Sequence, residues 1–364
     1  MNNKDNYAVI LASGTGVRLW PLSTLKKPKQ FHDLLGIGQT FIQLTYNRLK
    51  KIVPQENIFI LTISDYKELV LEQLPEFNES NFIIEPRAMN TAACNLLAAL
   101  TIQQINPNAK LVISPSDHFV LHEDEFVEKT TIAIESADDD KLITLGVAPT
   151  RPDVNYSYIQ FVESPKPIKK VKSYIDKPDL EFAESFIVSG EFIWNTGILI
   201  WSVDSIISSF QQHLPFMLET LKQYFDMPKE LQSNKTLKPI YTTLDVTSIN
   251  KGILEKADNV YVIPTTFGWS DIGTWSAINE KYKYTGEDQD ENQNTLLCTH
   301  FSGYNAKNNF IYSTQDKAII IEGLENYVVI NSKKGLLICP RSNVQNIKTY
   351  VSDLKLQKNG EKYC

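Results

Sequence analysis

Short apolar runs alternate with longer helix-length segments along the first 146 residues of this 364-residue chain. The apolar runs predict strands at 7–12, 57–62, 81–84, 110–114 and 141–146. The segments between them predict helices at 39–50, 65–73, 91–105 and 123–136. Strands and helices that alternate at this spacing are typical of βαβ units and therefore of a mostly parallel sheet.

The pattern changes after about residue 157, where extended segments become frequent. We expect strands at 158–162, 168–175, 191–201 and 259–263, and helices at 179–188, 203–224 and 247–255. A polar run at 285–294 is followed by apolar runs at 295–299, 309–312, 317–322, 326–331 and 335–339, and by a helix at 343–354. The predicted class is α/β, with a Rossmann-like, mostly parallel mixed sheet flanked by helices and a smaller β-rich C-terminal domain. The predicted domains are 1–284, the larger one, and 285–364, which ends in a helix.

Charge and cysteine content narrow the class of protein. The formal net charge is −7, which argues against a general nucleic-acid binder. The four cysteines form no CxxC pair, which suits a reducing compartment and gives no zinc signal. We find neither a signal peptide nor an apolar run of membrane-spanning length, so we expect a cytoplasmic protein without membrane association. Its oligomeric state is open, and a homo-oligomer is compatible with the sequence.

The segment 13–30 follows the first predicted strand and has neither a helical nor an alternating pattern. Four of its residues are basic (Arg18, Lys26, Lys27 and Lys29) and none is acidic. The segment therefore carries a charge of +4 and the rest of the chain −11, which together give the net charge of −7. Small residues at 12–16 let the backbone approach a ligand, and successive N–H groups in such a turn can bind an anion. The segment therefore predicts a phosphate-binding loop.

Three other interpretations of this loop fit less well. A dinucleotide-binding fingerprint needs a third glycine and a helix that opens at once, but Leu19 occupies that glycine position and Pro21 interrupts any helix. The Walker-type spacing is absent. A purely structural surface loop fits less well, because it would place four positive charges close together with no anion to compensate them.

Three polar segments follow predicted parallel strands: the loop after Ala12, Glu85 with Pro86, and Asp117. In open α/β sheets, ligands bind outside the carboxyl ends of the strands. We therefore expect these segments to converge at one edge of the sheet.

A series of motifs extends along nearly the whole chain, from about Tyr7 to Leu354. In order they are LASGTGVRLWPLS with KPKQF, EPRAMNTAA at 85–93, PSDHFV at 115–120, LGVAPTRPDVNYSYI at 145–159, DKPD at 176–179, WNTG at 194–197, FGWSDIGTW at 267–275 and GLENYVVINSKKGLLICPR at 323–341. In this order they resemble the nucleotidyltransferases that make nucleotide sugars, and within them the mannose-1-phosphate guanylyltransferases, also called GDP-mannose pyrophosphorylases.

The resemblance implies that a sugar 1-phosphate oxygen attacks the α-phosphorus of GTP and that pyrophosphate leaves. Catalysis would then consist of positioning and electrostatic stabilisation. It implies catalytic roles for Arg18 and Lys29 at the triphosphate, and Mg²⁺ bound by Asp117 and Asp271. An aspartate that only caps a helix is the structural alternative at both positions, and Asp271 could cap a helix that starts near Ile272.

The resemblance also assigns the two substrates. The implied nucleotide-binding residues are Ala12, Ser13, Gly14, Thr15, Gly16, Glu85, Asn90 and Thr91. The implied sugar-phosphate-binding residues are Tyr156, Ser157, Asp176, Lys177, Asn195 and Gly197. A glutamate at position 85 can accept hydrogen bonds from guanine, and Lys177 supplies a cation for the attacking phosphate. A structural role for Asn90 or Thr91 at the start of a helix is the alternative there.

The chain departs from the family pattern at several positions. Ser13 replaces a glycine, which is tolerable only if its φ is not positive, and Val17 replaces a small polar residue. Ser157 replaces a glycine, Asp176 a glutamate and Asn250 an aspartate. Two further hypotheses remain open on this ground: the same reaction on another sugar 1-phosphate, and a catalytically silent protein that senses a GDP-sugar.

Overall fold

The computed structural model describes residues 4–137, 140–285 and 288–364. They form two compact units. The first holds the described residues up to Ser13 together with Ile42–Trp269, and the second holds Gly14–Phe41 and Ser270–Cys364. Positions 286 and 287 of the predicted polar run lie outside the described residues, and the division at 284/285 stays a prediction.

The first unit contains most of the regular structure. Its strands are β1 (Asn6–Leu11), β2 (Ile58–Thr62), β3 (Phe82–Ile84), β4 (Lys110–Pro115), β5 (Phe119–Val120), β6 (Leu142–Val147), β7 (Ser157–Phe161), β8 (Lys169–Asp176), β9 (Phe192–Ser202) and β10 (Val260–Thr265). Its helices are α1 (Phe41–Leu49), α2 (Lys67–Gln73), α3 (Thr91–Ile105), α4 (Glu123–Glu135), α5 (Leu180–Ser189), α6 (Val203–His213), α7 (Pro215–Phe225) and α8 (Asn234–Thr242).

Within the described ranges, nine strands of this unit form one sheet in the order β3-β2-β1-β4-β9-β6-β10-β8-β7, and β7 also pairs with β9. In this part of the chain, seven of the nine run in one direction, and β8 and β9 run opposite to them. The prediction of a mostly parallel mixed sheet is confirmed. The interior strand β1 is buried along nearly its whole length, as expected for a strand covered on both faces.

The alternating strands and helices predicted over the first 146 residues are confirmed. The single helix predicted at 203–224 is wrong, because α6 ends at His213 and α7 begins at Pro215. Proline disfavours helical angles at the preceding residue, and Leu214 has φ −137°. The helix predicted at 247–255 is reduced to a short π-helix, Asn250–Leu254.

The second unit combines two segments that are distant in sequence. Its elements are β11 (Trp269–Ser270), which begins at the last residue of the first unit, α9 (Trp275–Thr285), β12 (Thr295–Leu297), β13 (His300–Tyr304), β14 (Phe310–Ser313), β15 (Ala318–Glu322), β16 (Tyr327–Asn331), β17 (Leu336–Pro340) and α10 (Ile347–Leu356). One sheet has the order β12-β14-β16-β17, with parallel pairs up to β16, and a second pairs β13 with β15 in parallel. From β12 to β16 the chain thus alternates between the two sheets, and the prediction of a β-rich C-terminal region is confirmed.

A buried asparagine pair links successive turns of this β-rich region. The Asn309 backbone N–H and side-chain amide donate to Asn294 Oδ1 at 3.0 and 2.9 Å. Asn309 Oδ1 in turn accepts from the Tyr327 N–H at 2.8 Å. Both asparagines are fully buried, so these bonds satisfy amides that would otherwise be costly to bury.

The segment Gly14–Phe41 is held by the C-terminal residues of the same unit. The Trp20 carbonyl accepts from Trp275 Nε1 at 3.0 Å, and Trp20 Nε1 donates to the Tyr363 carbonyl at 2.8 Å. Ser332 Oγ donates to the Pro21 carbonyl at 3.1 Å. The predicted phosphate loop therefore folds together with the C-terminal region.

None of the helices in the described part of the chain has the length and apolar character needed to cross a membrane.

Candidate active site

The loop from Gly14 to Gly16 has its carbonyl groups paired and its N–H groups unpaired. The Gly14 carbonyl accepts from Gln30 Nε2 at 3.0 Å, the Thr15 carbonyl from Ser23 Oγ at 2.9 Å, and the Gly16 carbonyl from the Leu19 N–H at 3.0 Å. Among the described residues, the N–H groups of 14, 15 and 16 donate no hydrogen bond. The loop thus offers three backbone donors, which is what an anion-binding turn requires.

Gly16 has a conformation and a contact that require glycine. Its φ is +56°, in the left-handed region that favours glycine. A Cβ at this position would lie 2.7 Å from Lys29 Cγ. The stem of Lys29 therefore packs directly on the Gly16 backbone.

The Lys29 ammonium donates to the backbone carbonyl of Asp271 at 3.0 Å. Lys29 is buried, with 8% of its surface exposed. Gly16, Lys29 and Asp271, which the sequence placed in one predicted site, thus lie together in the second unit.

Arg18 lies on a short 3₁₀ turn, Val17–Leu19, directly after the loop. It is half-buried and forms no ion pair or hydrogen bond with any residue that the structure describes. Its guanidinium is therefore available to an anion, and its planar fork suits phosphate oxygens.

The turn that carries Asp271 contains an unusual backbone conformation. Asp271 Oδ1 accepts from the Gly273 N–H at 3.1 Å. Between them lies Ile272, fully buried with φ +43°, which is an outlier for a β-branched residue. Helix α9 begins only at Trp275, and Thr274 Oγ1 accepts from the Ala277 N–H at 3.2 Å. Thr274 therefore takes the capping role considered for Asp271, and the helix start expected near Ile272 is wrong.

In the first unit, Ala12 and Ser13 continue from strand β1. The Ala12 N–H donates to the Leu61 carbonyl at 2.8 Å, and its carbonyl accepts from Thr62 Oγ1 at 3.2 Å. Ser13 is buried and is not among the described residues with positive φ. The backbone tolerates serine here, so this departure from the family pattern carries no strain.

Glu85 is a buried carboxylate beside Ser13. It is 2% exposed, and its Oε2 accepts from the Tyr241 hydroxyl at 2.7 Å. Burial raises the pKa of Glu85 above its ordinary value, and the hydroxyls of Ser13 and Tyr241 oppose that rise. The Ser13 hydroxyl faces Glu85 without a hydrogen bond of ordinary geometry. An acceptor held this way suits the donor edge of a nucleobase.

Asn90 and Thr91 start helix α3. Asn90 Oδ1 accepts from the Thr91 N–H at 2.8 Å, and Thr91 Oγ1 accepts from the Ile249 N–H at 2.9 Å. Asn90 has φ 71° and ψ 176°, a region that is otherwise almost confined to glycine and that clusters at functional sites. Asn90 and Thr91 therefore have the structural role at the start of the helix that was the alternative. Capping a helix does not by itself require the strained backbone of Asn90.

Asp117 follows strand β4 in a turn that neighbouring side chains fix. Its Oδ1 lies 3.8 Å from His118 Nε2. Trp269 Nε1 and His118 Nδ1 are 3.2 Å apart, and because an indole N–H can only donate, Nδ1 is the acceptor. Arg48 Nη2 donates to the His118 carbonyl at 3.4 Å from a fully buried position. Burial lowers the pKa of Arg48 to about 10.

The sugar-phosphate candidates divide into a polar network and an aromatic wall. Ser157 Oγ donates to Asp176 Oδ1 at 2.7 Å, and Asn195 Nδ2 donates to the Tyr174 hydroxyl at 2.6 Å. Tyr156 packs edge-on against Trp194 and Trp269, at centroid distances of 4.8 and 5.3 Å.

Two further candidates have left-handed backbones. Gly197 has φ +74° and Lys177 has φ +54°. Lys177 is exposed and makes no ion pair or hydrogen bond within the described residues. Among the described non-glycine residues with positive φ, Lys177 and Ile272 alone are not Asn, Asp or Gln, and both lie in predicted site segments.

The structure adds residues that sequence reasoning did not place in the site. Tyr241 bonds Glu85, Tyr174 bonds Asn195, and Arg48 supports the turn of Asp117. Asn250 contacts Ser157 and Asp176. These contacts join residues far apart in sequence, and no local pattern marks them.

The comparisons with known proteins agree with one another. The profile of the nucleotidyl transferase family matches residues 7–287. A mannose-1-phosphate guanylyltransferase of Escherichia coli is 32% identical over 97% of this chain and 76% of its own length. One from Klebsiella pneumoniae is 30% identical over 97% of this chain and 74% of its own length. The xanthan biosynthesis protein XanB of Xanthomonas campestris is 28% identical over 96% of this chain and 73% of its own length.

Solved structures show the same fold. A crystal structure described as mannose-1-phosphate geranyltransferase from Thermus thermophilus superimposes with a TM-score of 0.84 and 25% identity, and covers 96% of this chain and 99% of that one. A mannose-6-phosphate isomerase from Helicobacter pylori has a TM-score of 0.59 and 23% identity over 73% of this chain and 99% of its own. The second likeness supports the fold alone.

Proposed function

The chain belongs to the nucleotidyl transferase family, and from this premise we propose that it transfers GMP from GTP to mannose 1-phosphate and releases pyrophosphate. Relatives named mannose-1-phosphate guanylyltransferase align over almost the whole chain at up to 32% identity, which supports this choice of substrates.

The observation that carries the proposal is the loop Gly14–Gly16, whose carbonyls are paired and whose N–H groups are not. Only an acceptor from outside these residues can satisfy the three donors, and phosphate oxygens are such acceptors. Arg18 and Lys29 add two cations in the same unit. We assign Arg18 and Lys29 to the triphosphate, because they can stabilise the negative charge that develops on the departing pyrophosphate.

In the proposed reaction an oxygen of the sugar phosphate forms a bond to the α-phosphorus of GTP. The bond from that phosphorus to the bridging oxygen breaks, and pyrophosphate leaves with the electron pair. No covalent enzyme intermediate is needed. The contribution of the protein is orientation of the two anions and stabilisation of charge.

Members of this family generally use a divalent metal, and we propose Mg²⁺. The carboxylates of Asp117 and Asp271 fit it, because Mg²⁺ takes oxygen ligands, commonly one or two carboxylates with phosphate oxygens. The described residues contain no cluster of three or more His, Cys, Asp or Glu that could hold a metal. When bound, Mg²⁺ would neutralise charge on the phosphate oxygens.

We assign the remaining residues to the two substrates. Glu85 would accept from guanine, and Ala12, Ser13, Asn90 and Thr91 would line the nucleoside. The groups proposed for the sugar phosphate are Tyr156, Ser157, Asp176, Lys177, Asn195 and Gly197. Lys177 is an exposed cation and suits the attacking phosphate. A cytoplasmic location remains a prediction from the sequence, and the oligomeric state stays open.

The test is pyrophosphate release across a panel of nucleoside triphosphates and sugar 1-phosphates with Mg²⁺. We expect the highest kcat/KM with GTP and mannose 1-phosphate. A higher kcat/KM with another hexose 1-phosphate or a heptose 1-phosphate would revise the proposed substrate but not the proposed type of reaction. GDP-mannose binding without pyrophosphate under any metal condition would overturn the proposal in favour of a silent binding protein.

A further inference from the structure

The side chains of Ser157, Asp176 and Asn250 lie in direct contact with one another. Asn250 Nδ2 donates to Ser157 Oγ at 3.0 Å and to Asp176 Oδ1 at 3.3 Å. Ser157 Oγ donates to the same Asp176 oxygen at 2.7 Å. Positions 157, 176 and 250 are distant in sequence, yet they form one hydrogen-bonded triangle, which we call the 157–176–250 cluster.

The chemistry of each member of the cluster matches that of the other two. Asp176 is one methylene shorter than a glutamate, and the Ser157 hydroxyl reaches it, whereas a glycine would offer no side-chain donor. The Asn250 amide supplies a second donor. An aspartate at position 250 would instead place a carboxylate where Nδ2 now lies 3.3 Å from Asp176 Oδ1, and two like charges at that distance repel. A shorter carboxylate, a hydroxyl and an amide are therefore a compensated set.

The cluster orients Asp176. Its backbone N–H donates to Glu255 Oε1 at 2.7 Å, and both side-chain bonds fall on Oδ1. Within the described residues Oδ2 has no hydrogen-bond partner. One oxygen of the carboxylate is thus held by the protein, and the other remains for a ligand.

We propose that Ser157 and Asn250 are positioning residues that hold Asp176 by Oδ1, so that Oδ2 accepts from a hydroxyl of the sugar 1-phosphate. Asn250 must be an amide for this purpose, and the three positions act as a unit in sugar recognition. The inference rests on the proposed function, because it assigns the cluster to the sugar-phosphate side of that site.

The first test separates sugar recognition from the rest of catalysis. The change Asn250→Asp replaces the side-chain NH2 group by an oxygen, so a hydrogen-bond donor becomes an acceptor. We expect KM for mannose 1-phosphate to rise roughly tenfold, as for a lost hydrogen bond to a charged group, while kcat and KM for GTP stay within about twofold. Ser157→Ala, which removes only the hydroxyl, should raise the same KM. Asn108→Asp adds the same charge at an exposed turn and should change neither KM.

The second test needs no turnover. Asn250→Asp should lower Tm by about 2–4 °C, because it places two carboxylates next to each other. Adding Asp176→Asn should restore Tm, because the pair then again consists of one carboxylate and one amide. The same double variant should keep the high KM for mannose 1-phosphate, since its carboxylate is now at position 250.

The outcomes of the two tests are distinguishable. If the Tm losses of Asn250→Asp and Asp176→Asn simply add, the cluster is not a unit and the inference fails. Equal rises in KM for GTP and for the sugar phosphate would also overturn it. An inactive wild-type protein that still shows the Tm rescue would overturn the proposed function and the sugar role, and would leave the cluster itself supported.

Discussion

The Lys29 ammonium lies 3.0 Å from the backbone carbonyl of Asp271 and donates a hydrogen bond to it. This bond joins the loop proposed to hold the triphosphate to the turn proposed to hold a metal, both in the second unit. Asp271 is followed by Ile272, whose positive φ is costly. The Lys29 bond is one interaction that can keep this strained turn in place.

We predict that Lys29→Met lowers kcat/KM for pyrophosphate release by about 10²–10³-fold, the usual effect of losing one donor to developing charge. Methionine keeps most of the buried volume, so we expect little loss of Tm. The matched control is Lys26→Met, which removes an exposed lysine from the same loop and should keep near wild-type kinetics. Equal activity of the two variants would remove the catalytic role of Lys29.

The buried Glu85 carboxylate predicts a pH dependence of GTP binding. Burial raises the pKa of Glu85 above its ordinary value of 4.5, so the protonated form persists to higher pH than in an exposed glutamate. Only the ionised carboxylate, not the protonated form, can accept hydrogen bonds from both donor groups of guanine. The KM for GTP should therefore fall as pH rises through the raised pKa, and this pH dependence should vanish in Glu85→Gln, together with tight binding.

The same shift predicts the sign of a stability change. A carboxyl whose pKa is raised on folding favours the folded state at low pH, and this contribution is lost as pH rises through the folded pKa. The free energy of unfolding of Glu85→Gln, relative to wild type, should therefore increase with pH. A difference that is flat from pH 4.5 upward would show that the Glu85 pKa is not raised.

Asn90 allows the helix-cap role and a nucleotide role to be separated. Its φ of 71° suits glycine, and glycine is nearly as good an N-cap as asparagine. Asn90→Gly should leave the free energy of unfolding within about 1 kcal/mol of wild type, because relief of strain offsets the added chain entropy. Asn90→Ala keeps the strain and loses the cap, and should cost about 2 kcal/mol.

Kinetics then decide the role of the Asn90 amide. If the amide contacts the nucleotide, KM for GTP rises in both variants regardless of their stability. If KM changes only in Asn90→Ala, the residue acts through the helix start alone. Urea unfolding and pyrophosphate release on the same protein preparations provide both measurements.

Periodicity was sufficient to predict the parallel part of the sheet, because β1 to β4 and β6 are short apolar runs with helices between them. It failed at 203–224, where apolar residues continue through the break before Pro215. The proline itself was the available signal, since it favours a first helical position and disfavours helical angles at the residue before it. Length and hydrophobicity alone did not reveal that break.

The site was predictable only where one short segment carries the chemistry. The loop 12–18 and the turn around Asp271 stand out by glycine, charge and motif. The bond from Asn250 to Ser157 spans 93 residues, and that from Tyr241 to Glu85 spans 156. Such partners are set by tertiary packing, which a single sequence does not display. The link between Gly14–Phe41 and the C-terminal residues was invisible for the same reason.

The two loop glycines give the sharpest matched pair. At Gly16 a methyl group would combine a φ of +56° with a 2.7 Å approach to Lys29 Cγ. At Gly14 φ is not positive, and a Cβ would meet nothing within 4 Å. Gly16→Ala should therefore lose about 1–3 kcal/mol of the free energy of unfolding, whereas Gly14→Ala should stay within about 0.5 kcal/mol.

The kinetic consequences of the two substitutions should differ as well. Gly16→Ala displaces the Lys29 stem and should lower kcat. Gly14→Ala leaves Lys29 in place and adds a methyl group to open space beside the three unpaired N–H groups, so it should raise KM for GTP with little change in Tm. If GTP binds equally well to Gly14→Ala and to wild type, that space is not where the triphosphate lies. The unpaired donors would then need another acceptor, and the loop would lose its assignment as the phosphate cradle.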